Sequence, residues 1–134
     1  MKFLNLAKQD LELVEKAKEL IRKRKSEIST VAAVLRTRND KIFYGLNIEV
    51  KGSSPCSICA EYTAVGAMVS EGEKSIETIV AVSHKNEYTI LPPCGKCRQL
   101  INEFGNPYII VQTNHELKKV KLSELLPLLD SRRK

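Results

Sequence analysis

Two cysteine stretches, Cys56-Ser57-Ile58-Cys59-Ala60-Glu61 and Pro93-Cys94-Gly95-Lys96-Cys97-Arg98-Gln99, constrain this chain more than any other feature. Each leads straight into a run with helical spacing. Cys94 and Cys97 stand at chelating spacing in a turn or first helical turn, behind a proline that bars regular structure ahead of them. Cys59 opens the other run, and Glu61 follows two residues later. The positive end of a helix dipole lowers the pKa of a thiol and favours the thiolate. Two helices whose N-termini meet would set Cys59, Cys94 and Cys97 around one zinc ion and leave its fourth position open. Glu61 would face that position as a proton carrier, not as a ligand. Such a fold must bring two sequence-distant helix starts to one point.

Spacing alone also permits another use of the thiols. Cys56-x-x-Cys59 and Cys94-x-x-Cys97 could close a structural four-cysteine site with no open position, in a non-catalytic module that binds nucleic acid through a basic surface. Three features favour the open site: Cys59 leads directly into a helix, a carboxylate lies two residues on, and Pro93 precedes the second pair. Two disulfides are a further possibility for four cysteines. Without a secretion signal, metal binding or catalysis is expected instead.

The rest of the chain reads as scaffold. Its 134 residues suit one domain, spanning 1–134. From about Leu6 to Lys25, Leu6, Leu11, Val14, Ala17, Leu20 and Ile21 recur at helical spacing, with lysines and glutamates between them. Ser29 to Thr37 is β-branched and apolar, a buried strand. Arg38-Asn39-Asp40 is a turn, and Lys41 to Leu46 is the returning strand of a hairpin. Alternation puts Asn47 and Glu49 on one face, where two polar side chains could grip hydroxyl groups. Cys59 to Ser70 is helical, with Gly72 just past its end. Glu77 to Ser83 is a buried strand. His84 to Tyr88 reads as polar loop, and His84 and His115 as loop residues, not ligands. Gly95 to Phe104 is a second buried helix, Tyr108 to Val111 a strand and Leu117 to Leu122 an edge strand. Ser123 caps a last helix reaching Leu129. The order α-β-β-α-β-α-β-β-α predicts an α/β domain of three layers, α-β-α, around a mixed five-stranded sheet.

The formal net charge of +6 gathers at Arg22-Lys23-Arg24-Lys25 and Arg132-Arg133-Lys134. Few aromatics interleave with it, so a solvated helix end and tail are expected, with nucleic acid an unlikely partner. No stretch is apolar enough to span a membrane, and the N-terminus has no signal-peptide pattern. A cytoplasmic protein is the expectation.

The pattern Cys-x-Glu followed by Pro-Cys-x-x-Cys is that of zinc deaminases. Through Asn47-Ile48-Glu49, Cys59-Ala60-Glu61 and Pro93-Cys94-Gly95-Lys96-Cys97-Arg98-Gln99, the chain resembles the small zinc-dependent cytidine deaminases and their relative blasticidin-S deaminase. Weaker similarity covers Val31 to Leu46 and Leu122 to Pro127. The resemblance implies a cytidine-deaminase-like fold. It implies zinc on Cys59, Cys94 and Cys97, proton transfer by Glu61, a base contact from the Ala60 backbone, and a ribose held by Asn47 and Glu49. It further implies a homotetramer with active sites near subunit contacts, and a place in pyrimidine salvage. Arg98 could donate to a thiolate and ease the charge of the cluster. Three departures stand out. Ser29 falls where relatives carry a base-packing Phe, Tyr62 where Arg is common, and the C-terminus lacks an aromatic. These lean toward a blasticidin-S or other aminopyrimidine nucleoside deaminase, while Asn47 and Glu49 lean back toward an ordinary cytosine ribonucleoside.

Overall fold

The computed structural model describes residues 1–126. Helix α1 (Lys8–Arg24) precedes the hairpin β1 (Val31–Thr37) and β2 (Ile42–Leu46). A 3-10 turn at Ser54–Cys56 then leads to α2 (Ala60–Ser70) and β3 (Ile76–Ser83). One irregular turn, α3 (Lys85–Tyr88), is followed by β4 (Thr89–Ile90), α4 (Gly95–Asn102), the hairpin β5 (Tyr108–Thr113) and β6 (Glu116–Lys121), and α5 (Leu122–Leu125). The sheet runs β2-β1-β3-β5-β6, with β4 paired to β3 off that path. Among the described residues only β3 and β5 pair in parallel, so the sheet is mixed as expected. The sixth strand, Thr89–Ile90, directly follows the segment read as loop. Asn86, Glu87 and Tyr88 all have positive φ (50°, 56° and 72°), and this tight left-handed turn folds Thr89 and Ile90 back onto Ser83 and Val82.

Strand alternation sorts the core into two clusters. Val34, Val80, Val82 and Ile110 face α1, against Leu13, Val14 and Ala17. Ala33, Leu35, Ile79, Ala81 and Ile109 face the other way, against Ala60, Ala64, Met68, Ile101 and Leu122 of α2, α4 and α5. The three-layer order follows. Leu11, expected in the stripe of α1, is 48% exposed, and Leu13 is buried in its place. The expected final helix is present only from Leu122, with Ser123 inside it donating its N–H to Asn106 Oδ1 at 2.9 Å. The rest of that helix, the C-terminal segment without an aromatic, and Arg132-Arg133-Lys134 lie outside the described residues. At the other basic cluster, Arg22 and Lys23 pair with Glu19 at 2.7 and 3.3 Å.

One polar residue fixes α1 to the sheet. Asp10 is fully buried and accepts from the Ala7 N–H at 2.8 Å and from Lys119 Nζ at 2.7 Å, with Arg36 Nη2 at 3.5 Å. It joins the first turn of α1 to β1 and β6. Asp10→Asn would remove the carboxylate that Lys119 and Arg36 share in a low-dielectric layer, leaving Arg36 only Asp40 at 4.0 Å. We expect it to destabilise the fold by ~3–5 kcal/mol, read as a lowered midpoint in urea unfolding; a midpoint equal to the parent's would refute this.

The other face carries the site. Gly45 of β2, Ala33 of β1 and Ala81 of β3 lie in one cross-strand row. Small residues there let α2 lie close to the sheet. An ideal Cβ on Gly45 would sit 2.3 Å from Ala64 N and 2.5 Å from Ala60 O. Gly45 is therefore the contact point between sheet and helix backbone. Both β1–β2 and β1–β3 are antiparallel, so β2 and β3 run parallel and α2 is a crossover between them. Helix α4 crosses over between parallel β3 and β5. Crossover helices return against their strands, so both begin at the C-terminal ends of those strands.

Candidate active site

Helices α2 and α4 start side by side, and each start is a cysteine. Cys59 caps α2 with extended backbone (φ −74°, ψ 152°), and Cys94 caps α4 likewise (φ −69°, ψ 168°). Their Sγ atoms are 3.9 Å apart. Cys97, in the first turn of α4, is fully buried, and the three thiols lie within 4.8 Å of one another. Sulfurs bound tetrahedrally to zinc at ~2.3 Å would be about 3.8 Å apart. The donor set and its spacing therefore fit a zinc ion with small side-chain adjustments. Cys56 is outside this group. It lies in the 3-10 turn, exposed, where the Ser53 hydroxyl donates to its sulfur at 3.1 Å. Of the two arrangements that spacing permits, the structure brings together the expected three thiols and not all four, because the turn aims Cys56 at its own loop. Neither His84 nor His115 belongs to the cluster.

Electrostatics differ from thiol to thiol. Burial pushes the Cys97 thiol far up, and the neighbouring Glu61 and Cys59 add to this. Burial, then the charges of Cys94 and Glu61, raise Cys59 against a lowering contact from Cys97. Burial works against the Cys94 thiolate too, but N–H groups of Cys97 and Lys96 and the two other thiols outweigh it, so its pKa falls below the usual thiol value. That is the helix N-terminus acting on its capping cysteine. Three thiols this close favour a cation among them to hold all three as thiolates.

Glu61, in the first turn of α2, is only 7% exposed. Burial raises its pKa above the ordinary carboxyl value, against lowering contacts from its own backbone N–H and from Cys97. A cavity of about 480 Å³ is lined by Cys59, Cys94, Glu61, Ala60, Asn47 and Glu49. Sequence-distant candidates thus share one space. Asn47 is largely committed, however. Its Oδ1 accepts from the N–H groups of Thr30 and Val31 at 2.7 and 2.9 Å, and its Nδ2 donates to Thr30 Oγ1 at 3.2 Å. It clamps the start of β1 and retains one N–H. The Glu49 carboxylate is freer, with the Thr30 hydroxyl at 3.4 Å. Ser29 turns from the cavity and donates to the Asn47 carbonyl at 2.8 Å. Val31 lines the cavity instead, and no aromatic side chain does so among the described residues.

The chain matches the family described as the cytidine and deoxycytidylate deaminase zinc-binding region over residues 7–113. It belongs to this family. Blasticidin-S deaminase from Bacillus cereus is 36% identical over 136 residues, covering 96% of each chain. A probable cytidine deaminase from Dictyostelium discoideum is 40% identical over 102 residues, covering 75% of this chain and 68% of that protein. The crystal structure of cytidine deaminase from Burkholderia pseudomallei superposes with a TM-score of 0.75 at 26% identity, covering 93% of this chain and 100% of that one.

As a member of this deaminase family the chain is a zinc-dependent hydrolase, and its three-thiol cluster is positioned to hold the metal. Arg98 behaves differently from its sequence reading. Its Nε donates to the Pro93 carbonyl at 2.8 Å and its Nη1 to the Leu125 carbonyl at 2.9 Å. These bonds brace the loop ahead of Cys94 against α5, and neither goes to a thiol. Sequence reasoning also passed over Gly45, Lys96 and Asp10. Gly45 was detectable, since a glycine inside a strand pattern marks close backbone approach.

Proposed function

We propose that this chain hydrolyses the exocyclic amine of a cytosine nucleoside, converting cytidine or deoxycytidine and water to uridine or deoxyuridine and ammonia. The observation that carries the reading is the buried Glu61 carboxyl facing the same cavity as the thiols at two helix starts. Zinc, when bound by Cys59, Cys94 and Cys97, supplies an activated water. Glu61 accepts a proton and passes it to ring N3 as oxygen adds to C4. It then takes the proton of the new C4 hydroxyl and delivers it to the amine, the C4–N bond breaks as the C4 carbonyl forms, and ammonia leaves. Burial suits this double duty, because a raised carboxyl pKa brings proton uptake and release closer to neutral pH. The N–H groups of a first helical turn lack intrahelical acceptors, so Ala60 at the start of α2 can meet the base. Glu49, with the remaining N–H of Asn47, receives the ribose hydroxyls. A homotetramer suits Ile28, Ile48 and Val50, apolar residues 45%, 44% and 39% exposed on adjoining segments. That chemistry suits a place in pyrimidine salvage, which we assign to the cytoplasm. No helix among the described residues is long and apolar enough to cross a membrane.

A second reading is favoured by the Bacillus cereus relative, which aligns over 96% of both chains. It is deamination of blasticidin S or another aminopyrimidine nucleoside, and the cavity without aromatic residues supports it. Ammonia release from zinc-loaded protein, assayed with cytidine, deoxycytidine, blasticidin S and a short RNA, separates the two. Turnover of cytidine or deoxycytidine is the expected result. Turnover of blasticidin S alone would move the assignment to the second reading, and no turnover of any would overturn both.

The metal assignment has its own test. Cys97→Ser is expected to lower zinc affinity by more than the roughly 100-fold that a ligand's hydrogen-bond partner contributes. Cys56→Ser is expected to leave zinc content at the parent's level. Equal zinc loss in both, by chelator competition, would restore the four-cysteine site.

A further inference from the structure

A cluster of three thiols and a dication is not charge-balanced. Three protons leave and two positive charges arrive, so loading makes the cluster more negative by one unit. A cation nearby favours loading. Helix starts supply only partial charges. The Arg98 guanidinium donates to the carbonyls of Pro93 and Leu125. Lys96 is placed otherwise. It stands between Cys94 and Cys97 in the first turn of α4, and among the described residues it is the one basic side chain lining the cavity with Cys59, Cys94 and Glu61. Its ammonium lies 4.8 Å from the centroid of the Tyr62 ring. A cation over a ring face at that distance is attracted by the ring's quadrupole. Tyr62 directly follows Glu61, so the pair ties the first turn of α4 to the first turn of α2.

We propose that Lys96, held over the ring of Tyr62, is the positioning cation of the metal centre: it offsets the excess negative charge of the thiolates and fastens together the two helix starts that carry them. The inference rests on the three-thiol zinc reading above. Lys96 is exposed, so its replacement does not disturb the core. Zinc affinity is measured by competition with a chromogenic chelator at fixed pH, alongside far-UV circular dichroism of each variant. Lys96→Gln is expected to bind zinc about tenfold more weakly, the range seen for groups that support metal ligands. Lys96→Arg keeps the charge and should return affinity to within about twofold of the parent. Tyr62→Leu should lose part of the affinity and Tyr62→Phe, which keeps the ring face, very little. Parent-like affinity in Lys96→Gln overturns the proposal. If Cys97→Ser also retains zinc, the three-thiol reading itself has failed. If Cys97→Ser loses zinc while Lys96→Gln does not, only the role of Lys96 has failed.

Discussion

Glu61→Gln is expected to remove nearly all turnover while zinc stays bound. General acid–base catalysis contributes about 10²- to 10⁴-fold. The loss should lie at the upper end, because the proposed mechanism uses Glu61 in both the attack on C4 and the departure of the amine. Gln occupies the same volume and can still donate and accept hydrogen bonds, but it cannot carry a proton. Zinc content and kcat/KM of the two proteins, measured side by side, check this. Full activity in the variant would remove Glu61 from the mechanism. A stability effect accompanies it. A carboxyl whose folded pKa is raised contributes stability below its unfolded pKa and loses that contribution as pH rises through the folded value. Burial raises Glu61 in this way. Zinc-depleted parent should therefore lose stability relative to Glu61→Gln as pH is raised from about 4 to 7. Parallel urea midpoints across that range would contradict the burial penalty.

Gly45→Ala is expected to harm both fold and catalysis although Gly45 belongs to neither the metal cluster nor the cavity lining. Ordinary van der Waals contact begins near 3.4 Å, and the added methyl would sit 2.3 Å from the backbone nitrogen of Ala64. Both partners are main chain, one in a strand and one in a helix, so no side chain can rotate to relieve the overlap. Helix α2 must move outward by more than 1 Å, the difference between those two distances. Overpacking of this kind costs about 1–3 kcal/mol or more. The catalytic effect is larger, because α2 carries Cys59, Ala60 and Glu61 at its first turn. A displacement of ~1 Å at a reacting centre lowers the rate by about 10²-fold. Reduced zinc content, a lower thermal midpoint and a kcat/KM at least about 100-fold down are the expected readings. A folded variant with parent-like kcat/KM would show that α2 is not seated by this contact. Gly45→Ser should be at least as damaging, whereas Gly66→Ala, at a position with open space around its Cβ, should be benign.

Much of this protein was legible in the order of its residues. The two helix starts, the thiols and Glu61 are local features: a proline ahead of a cysteine pair, a carboxylate two residues after a third cysteine, and apolar runs with helical period. Local sterics and dipoles operate within one turn, so residues within one turn reveal them. The alternation that places Ala33 and Val34 on opposite faces is equally local, and so the layer order could be written down in advance. Other features required the packed chain. Cys56 and Cys59 have the same spacing as Cys94 and Cys97, yet only three of the four converge, because a 3-10 turn directs Cys56 to Ser53. Arg98 and Lys96 are both cations beside a cysteine of the cluster. Which of them faces the cavity depends on carbonyls of Pro93 and Leu125, the latter far away in sequence. Asn47 and Glu49 share a face, but Thr30 and Val31 claim most of the Asn47 amide, and that competition exists only once β1 lies beside it. The residue motifs alone determined the chemistry this chain can carry. Tertiary structure decided which candidates meet, because crossover helices and the Gly45 contact set the distances between groups that the chain itself keeps far apart.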